Sequence, residues 1–375
     1  MSTESLETGR WDETPLESGQ ELVEFWSPRI AGSERKVLFL VGRGFDARMC
    51  AGLQTLLSIQ EPFELEVGLI RGDQSAGSEA MEKAALDNLE CLKNLVATRG
   101  SIRELVVKMN STDGRKIASR SAMTLLEESS IISFTDVILD VSGISRSIYF
   151  PLAAKLLHLA DSYNKSGRGC VNLHIWVTEN SRLDAQTVGE GIQEKAEYIP
   201  PFTGRMDQEA SADLPRVWMP MIGESKRIQM ERVYDLVGPD EICPVLPSPA
   251  RDPRRSDNLI VEYHALLFDS WQIESSNIIF GCERNPFEVY RQMRRAILSY
   301  RESFGPLGGS KFVISALSSK LLSIAALLVA YDFKTVGLDI GVAHVGCQEY
   351  SLESAEEVPS EVFGMWLTGD FEKYS

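Results

Sequence analysis

The hydrophobic positions of this chain fall into short continuous runs, separated by polar turns and by stretches of helical spacing. Lys36-Val37-Leu38-Phe39-Leu40-Val41 is the first such run. Apolar residues in sequence, without polar alternation, mark a strand buried on both faces, as in a parallel sheet. The turn Gly42-Arg43-Gly44-Phe45-Asp46 follows, and then helical spacing over 47–59. The pattern predicts a strand over 63–70, a helix over 81–96 and strands over 102–108 and 135–141. The last of these leads through Ser142-Gly143-Ile144-Ser145-Arg146 into a helix ending near Tyr163, and a strand over 171–177 closes the series.

Residues 178–213 lose this rhythm, hold Pro200-Pro201 and Gly204, and read as a connecting segment. The rhythm then restarts. Strands are predicted over 216–222, 242–246, 277–281, 311–315 and 335–340, and helices up to 236, over 257–268, over 287–303 and up to 331. Strands alternating with helices predict an α/β fold. The expected architecture is two Rossmann-like halves, 36–177 and 214–345, each a mostly parallel sheet flanked by helices. Residues 1–35 and 346–375 read as acidic polar tails. The late strand of each half ends alike, in Ser142-Gly143-Ile144-Ser145 and Ser315-Ala316-Leu317-Ser318, which suggests a tandem repeat.

The chain carries a net charge of −16. A general nucleic-acid binder needs a basic surface, so that class is set aside, while a local basic pocket for a small anion stays open. No apolar run approaches the roughly 20 residues of a membrane span. The polar, acidic start Met1-Ser2-Thr3-Glu4-Ser5 is not a signal peptide, so a cytoplasmic protein without membrane contact is expected. Cys50, Cys91, Cys170, Cys243, Cys282 and Cys347 form no CxxC pair and read as buried free thiols. The four histidines show no metal-ligand spacing, so no metal site is expected. No Gly-x-Ser-x-Gly occurs, and Asp140 at a strand end has no acid–base partner. No catalytic residue is assigned, the chain reads as a binder more than an enzyme, and its residues identify no cofactor.

In open parallel sheets ligands bind beyond the carboxyl ends of the strands, where strand order reverses. The candidate ligand residues therefore lie in strand-end loops. Gly42, Arg43, Gly44, Asp46 and Arg48 form a GxGxxA turn with two guanidinium forks; the same residues also suit a tight turn capped by Asp46. Ser142, Ser145 and Arg146 offer hydroxyls and a cation, or a helix cap at Ser145. Arg284 and Asn285 precede Pro286, so Asn285 suits a helix N-cap and Arg284 a ligand. Ser318, Ser319 and Lys320 suit an anion at a helix start, without the glycines of a P-loop. Arg254 and Arg255, with Arg251, stand on a Pro-rich loop that either clamps a polyanion or is neutralised by Asp252 and Asp257.

The run Phe312-Val313-Ile314-Ser315-Ala316-Leu317-Ser318-Ser319-Lys320-Leu321-Leu322-Ser323-Ile324-Ala325-Ala326 resembles the main motif of the CRISPR-associated Rossmann-fold sensor domains. Asn285-Pro286-Phe287-Glu288-Val289-Tyr290-Arg291 resembles the early helix start of that family, and two such domains in one chain resemble the fused SAVED-type sensors of bacterial antiphage signalling. Leu317-Ser318-Ser319 stands where the family usually has Gly-Gly-Thr. The resemblance implies a pocket for a cyclic oligonucleotide, with Ser318, Ser319 and Lys320 on phosphate or ribose and Arg284 and Asn285 lining it. Separately, the stretch from Val41 to Arg48 resembles the methyl-donor loop of some S-adenosylmethionine-dependent methyltransferases. The function expected first is a nucleotide-type anion-binding sensor or accessory subunit, in antiviral defence and with a separate effector protein as partner. The alternatives are a methyltransferase or other nucleotide-processing enzyme, and a non-catalytic scaffold whose loops only cap helices.

Overall fold

A computed structural model describes residues 9–30, 32, 34–59, 62–73, 79–97, 99–180, 187–204, 206, 213–352 and 360–373. The first stretch of chain runs β1 (Leu16–Ser18), α1 (Gly19–Ile30), β2 (Lys36–Gly42), α2 (Ala51–Leu57), β3 (Glu64–Gly72), α3 (Glu79–Val96), β4 (Gly100–Val107), α4 (Ala118–Met123), α5 (Glu128–Ile131), β5 (Asp136–Asp140), α6 (Arg146–Lys165) and β6 (Asn172–Glu179). It continues through β7 (Thr187–Ile192), β8 (Glu197–Thr203), β9 (Arg216–Met221), α7 (Arg227–Val237), β10 (Glu241–Ile242), β11 (Val245–Pro247), α8 (Arg255–His264) and β12 (Ile279–Gly281). The last elements are α9 (Pro286–Ser303), β13 (Lys311–Ala316), α10 (Lys320–Thr335), β14 (Gly341–His344), β15 (Cys347–Leu352) and β16 (Glu361–Thr368).

The chain divides into two compact units: a first unit of residues 13–182 and 355–375, and a second of residues 1–12 and 183–354. The sheet of the first unit has the order β1-β16-β6-β5-β2-β3-β4. Its five central strands are parallel, and β16 and β1 are added antiparallel. The second unit has the order β12-β11-β9-β13-β14-β8, with β8 antiparallel and β10 beside β9. Counted within each unit, the parallel strands run third-second-first-fourth-fifth. Both units are therefore Rossmann-like, and strand order reverses between β2 and β5 in one and between β9 and β13 in the other. β7 and β15 form a separate antiparallel ribbon.

The segments read as tails and connection contain ordered elements. Residues 1–35 hold β1 and α1, and Trp11 and Trp26 are wholly buried. Residues 346–375 hold β15 and β16, and Val362–Leu367 are buried in the first sheet. Residues 178–213 hold β7 and β8. Local composition hid these elements because their partners lie far away in sequence: β16 pairs β6 across nearly two hundred positions. Pro200 and Pro201 fit β8 because it is an edge strand, where a missing N–H costs no ladder bond. The closing strand predicted over 335–340 lies instead at β14; α10 runs on to Thr335, and Gly337 with φ 83° turns the chain.

Helix α1 is fixed by a polar chain inside the core. Trp26 Nε1 donates to His174 Nδ1 at 3.2 Å, and His174 Nε2 lies 3.1 Å from Asp136 Oδ1. An indole N–H only donates, so Nδ1 carries the lone pair and Nε2 the proton. Neutral His174 thus donates to Asp136, which also faces Arg35 at 3.5 Å. Cys50 and Cys243 are buried; the other four cysteines are half-buried rather than buried as read from sequence, and all six are free. Among the described residues no helix is long and apolar enough to cross a membrane, and no cluster of metal-ligating side chains occurs.

Candidate functional site

In the first unit the loops after β2 and β5 meet backbone to backbone. A Cβ on Gly42 would lie 2.7 Å from Ile144 Cγ1 and 2.8 Å from the Gly143 carbonyl, so only glycine fits. Gly44 has no such constraint, its nearest neighbour being 3.6 Å from a built Cβ. Most polar groups of these loops already hold one another. Asp46 caps the following turn by accepting from the Arg48 amide at 2.9 Å, and it also takes the Arg48 guanidinium at 2.9 and 2.8 Å. The Arg48 fork is therefore closed on Asp46 and buried. Ser142 is wholly buried; its hydroxyl donates to Asp140 and accepts from the Thr178 amide at 2.8 Å. Its role is to tie the ends of β5 and β6.

Ser145 stands at the N-cap of α6 but makes no side-chain cap; its hydroxyl meets that of Ser147 at 3.1 Å. Arg146 opens α6 and is half-buried. Arg43 is half-buried, and its guanidinium makes no hydrogen bond or ion pair among the described residues. Asn88 on α3, absent from the sequence reading, clamps the loop by donating to the Gly44 and Asp46 carbonyls at 2.9 and 3.0 Å. At the end of β3, Arg71 pairs with Glu104, and Asp73 accepts from the Met109 amide at 2.9 Å.

In the second unit the corresponding loops also touch: a Cβ on Gly223 would lie 2.6 Å from the Leu317 carbonyl and 3.0 Å from Ser318 Cα. Ser319 caps α10 by accepting from the Leu322 amide at 3.2 Å, and Ser318 and Ser319 are both buried. Lys320 opens the helix and is half-buried. On the facing side, Ser225 has φ 57°, in the left-handed region. Its amide donates to Glu262 and that of Lys226 to the Tyr263 hydroxyl, which in turn donates to the Gly223 carbonyl. Burial, then the Glu262 charge, pushes the Tyr263 hydroxyl up, well out of the titrating range.

Helix α7 begins here without a side-chain cap at Lys226. Its buried stripe is Gln229, Met230, Val233 and Val237. Gln229 is 5% exposed, and its Oε1 has no hydrogen-bond partner among the described residues. Helical side chains lean toward the N-terminus, so Gln229, third in the helix, leans over its first turn. Sequence reading missed it, although a glutamine in an otherwise apolar stripe was the signal.

The remaining candidates lie elsewhere along the strand ends. Arg255 is buried, its fork on Glu224 at 2.6 and 2.8 Å and its other edge on Glu283. It is thus turned inward and neutralised by Glu224 and Glu283, not by Asp252 and Asp257. Burial raises the Glu224 carboxyl, and the Arg255 hydrogen bonds and charge more than offset this, leaving it below the ordinary range. Arg254 is exposed. Asn285 caps α9 through the Phe287 and Glu288 amides at 3.1 Å each, as its place before Pro286 predicted. Arg284 is exposed at the end of β12. β12 is three strands from β13, about 14 Å at the usual strand spacing.

No protein-family model matches this chain, and comparison with curated proteins finds no relative. The class the structure defines is an α/β protein of two Rossmann-like units.

Proposed function

We propose that this chain is a nucleotide-type anion-binding protein, a sensor or accessory subunit, whose ligand occupies the β9/β13 reversal in the second unit. The observation that carries the reading is the Gln229 carbonyl oxygen, buried and without a hydrogen-bond partner among the described residues. Leaving a buried acceptor unsatisfied costs about 1–3 kcal/mol, so a fold that keeps one invites a donor from outside. The neighbouring first turn of α7 asks for the opposite, an anion on its N–H groups. A phosphorylated nucleoside supplies both: phosphate oxygens for the helix terminus, and a ribose hydroxyl or base amino group for Gln229. Lys320 and the α10 terminus add positive potential on the facing loop.

The test is a thermal-shift screen of the purified chain against cyclic oligonucleotides, mono- and dinucleotides, NAD and S-adenosylmethionine. A ligand at about 100 times its Kd stabilises the folded state by about 2.7 kcal/mol. A shift with one nucleotide class, lost in Gln229→Leu and weakened in Lys320→Ala, is the expected result. A shift with S-adenosylmethionine alone would move the function to the Gly42–Arg48 loop. No shift with any of these would overturn the reading.

A further inference from the structure

The loop after β2 is held from behind by α3, and two cysteines lie at that contact. Cys50 ends the short turn of residues 47–50 that follows Asp46, and its thiol points at the Asn88 carbonyl of α3, 3.5 Å away. Cys91 is one helical turn beyond Asn88 and on the same face. The carbonyl that the Cys50 thiol touches thus lies one turn from Cys91 on α3, so both cysteines sit at the same contact. Cys50 is buried in the first unit's core, while Cys91 packs against that core and is half-buried. Between them stands Asn88, whose side chain holds the Gly44 and Asp46 carbonyls.

We propose that Cys50 and Cys91 are a redox pair, closed to a disulfide by exchange with a low-molecular-weight disulfide, and that closing it locks the Gly42–Arg48 loop onto α3. The chemistry balances as two exchanges. The Cys91 thiolate attacks one sulfur of oxidised glutathione and expels one glutathione thiolate, forming a mixed disulfide. Cys50 then attacks the Cys91 sulfur and expels the second glutathione. The two cysteine protons end on the two glutathione thiols, the protein pair is oxidised and glutathione disulfide is reduced. The order follows from access: Cys91 meets solvent first. Burial, with Cys91 and Asp140 beside it, also pushes the Cys50 thiol up to about 12, so Cys50 is not the thiolate that opens the exchange. This pair is independent of the ligand reading in the second unit.

The experiment treats the full chain with oxidised glutathione and maps disulfides by non-reducing peptide mass spectrometry. The wild type is expected to yield a peptide linking Cys50 to Cys91, reversed by reduced dithiol. Cys50→Ser is expected to accumulate a glutathione adduct on Cys91, and Cys91→Ser to leave Cys50 unmodified. A wild type that retains the adduct on Cys91, or forms no Cys50–Cys91 link, would overturn the pair. Hydrogen exchange then compares the reduced and oxidised wild type. Slower exchange across residues 44–50 on oxidation supports the coupling to the loop, and equal exchange would overturn it.

Discussion

The two strand reversals of this molecule share a frame and differ in what their polar groups do. At β2/β5 the neighbours of the glycine crossing are largely satisfied: Arg48 by Asp46, Ser142 by Asp140 and Thr178, and the loop carbonyls by Asn88. At β9/β13 the same kind of crossing stands beside an uncapped helix and a buried glutamine oxygen with no partner. The first crossing is largely closed on itself, though Thr178 Oγ1 beside it is also buried without a hydrogen-bond partner among the described residues. At the second the Gln229 oxygen is left unsatisfied among the described residues, which costs stability.

The largest effect that sharpens this comparison comes from beside the open site. Arg255→Met leaves buried Glu283 and half-buried Glu224 without their cation and is expected to destabilise the second unit by about 3 kcal/mol in urea unfolding. The same network sets a pH dependence. Glu224 titrates below its ordinary value when folded, so its stabilisation is present above the unfolded carboxylate pKa and is lost as pH falls through the folded one. The urea midpoint of the wild type should fall in acid, and that of Arg255→Met should fall less.

Next in size is Ser142→Ala, expected to cost about 1–3 kcal/mol because the Asp140 carboxylate and Thr178 amide lose their shared partner. Nucleotide affinity should not change. A loss of affinity without a loss of stability would place the site at β2/β5 and break the comparison. Lys320→Ala is expected to do the reverse, weakening nucleotide binding by about 1–3 kcal/mol with little change in melting. Arg284→Ala, three strands away, should have a smaller effect on a mononucleotide. Smallest is Gly44→Ala, expected to be neutral or to stabilise by about 0.4–1 kcal/mol, since its backbone is not left-handed and a Cβ has room.

Much of this was legible in the sequence. Unbroken apolar runs such as 37–41 and 312–316 marked buried parallel strands, and the loops that followed them were found to surround the strand reversals. Asn285 before Pro286 announced a helix cap, and the structure has it. What could not be read were partners distant in sequence. Arg255 stood on a loop that suited a polyanion until Glu224 and Glu283 closed round it. The apolar string Val362–Leu367 was hidden by acidic flanks. Gln229 carried a visible signal, a polar residue on a buried helical stripe, which gains meaning only once its oxygen is known to lack a partner.

The most direct measurement compares the melting of wild type and Gln229→Leu, each with and without the nucleotide panel. Leucine fills a similar volume and removes the unsatisfied oxygen. The account predicts that the variant melts as high as the wild type or higher without ligand, and that the nucleotide-induced shift of the wild type is absent from it. A variant that melts well below the wild type, or one that keeps the full shift, would contradict the claim that this oxygen waits for a ligand.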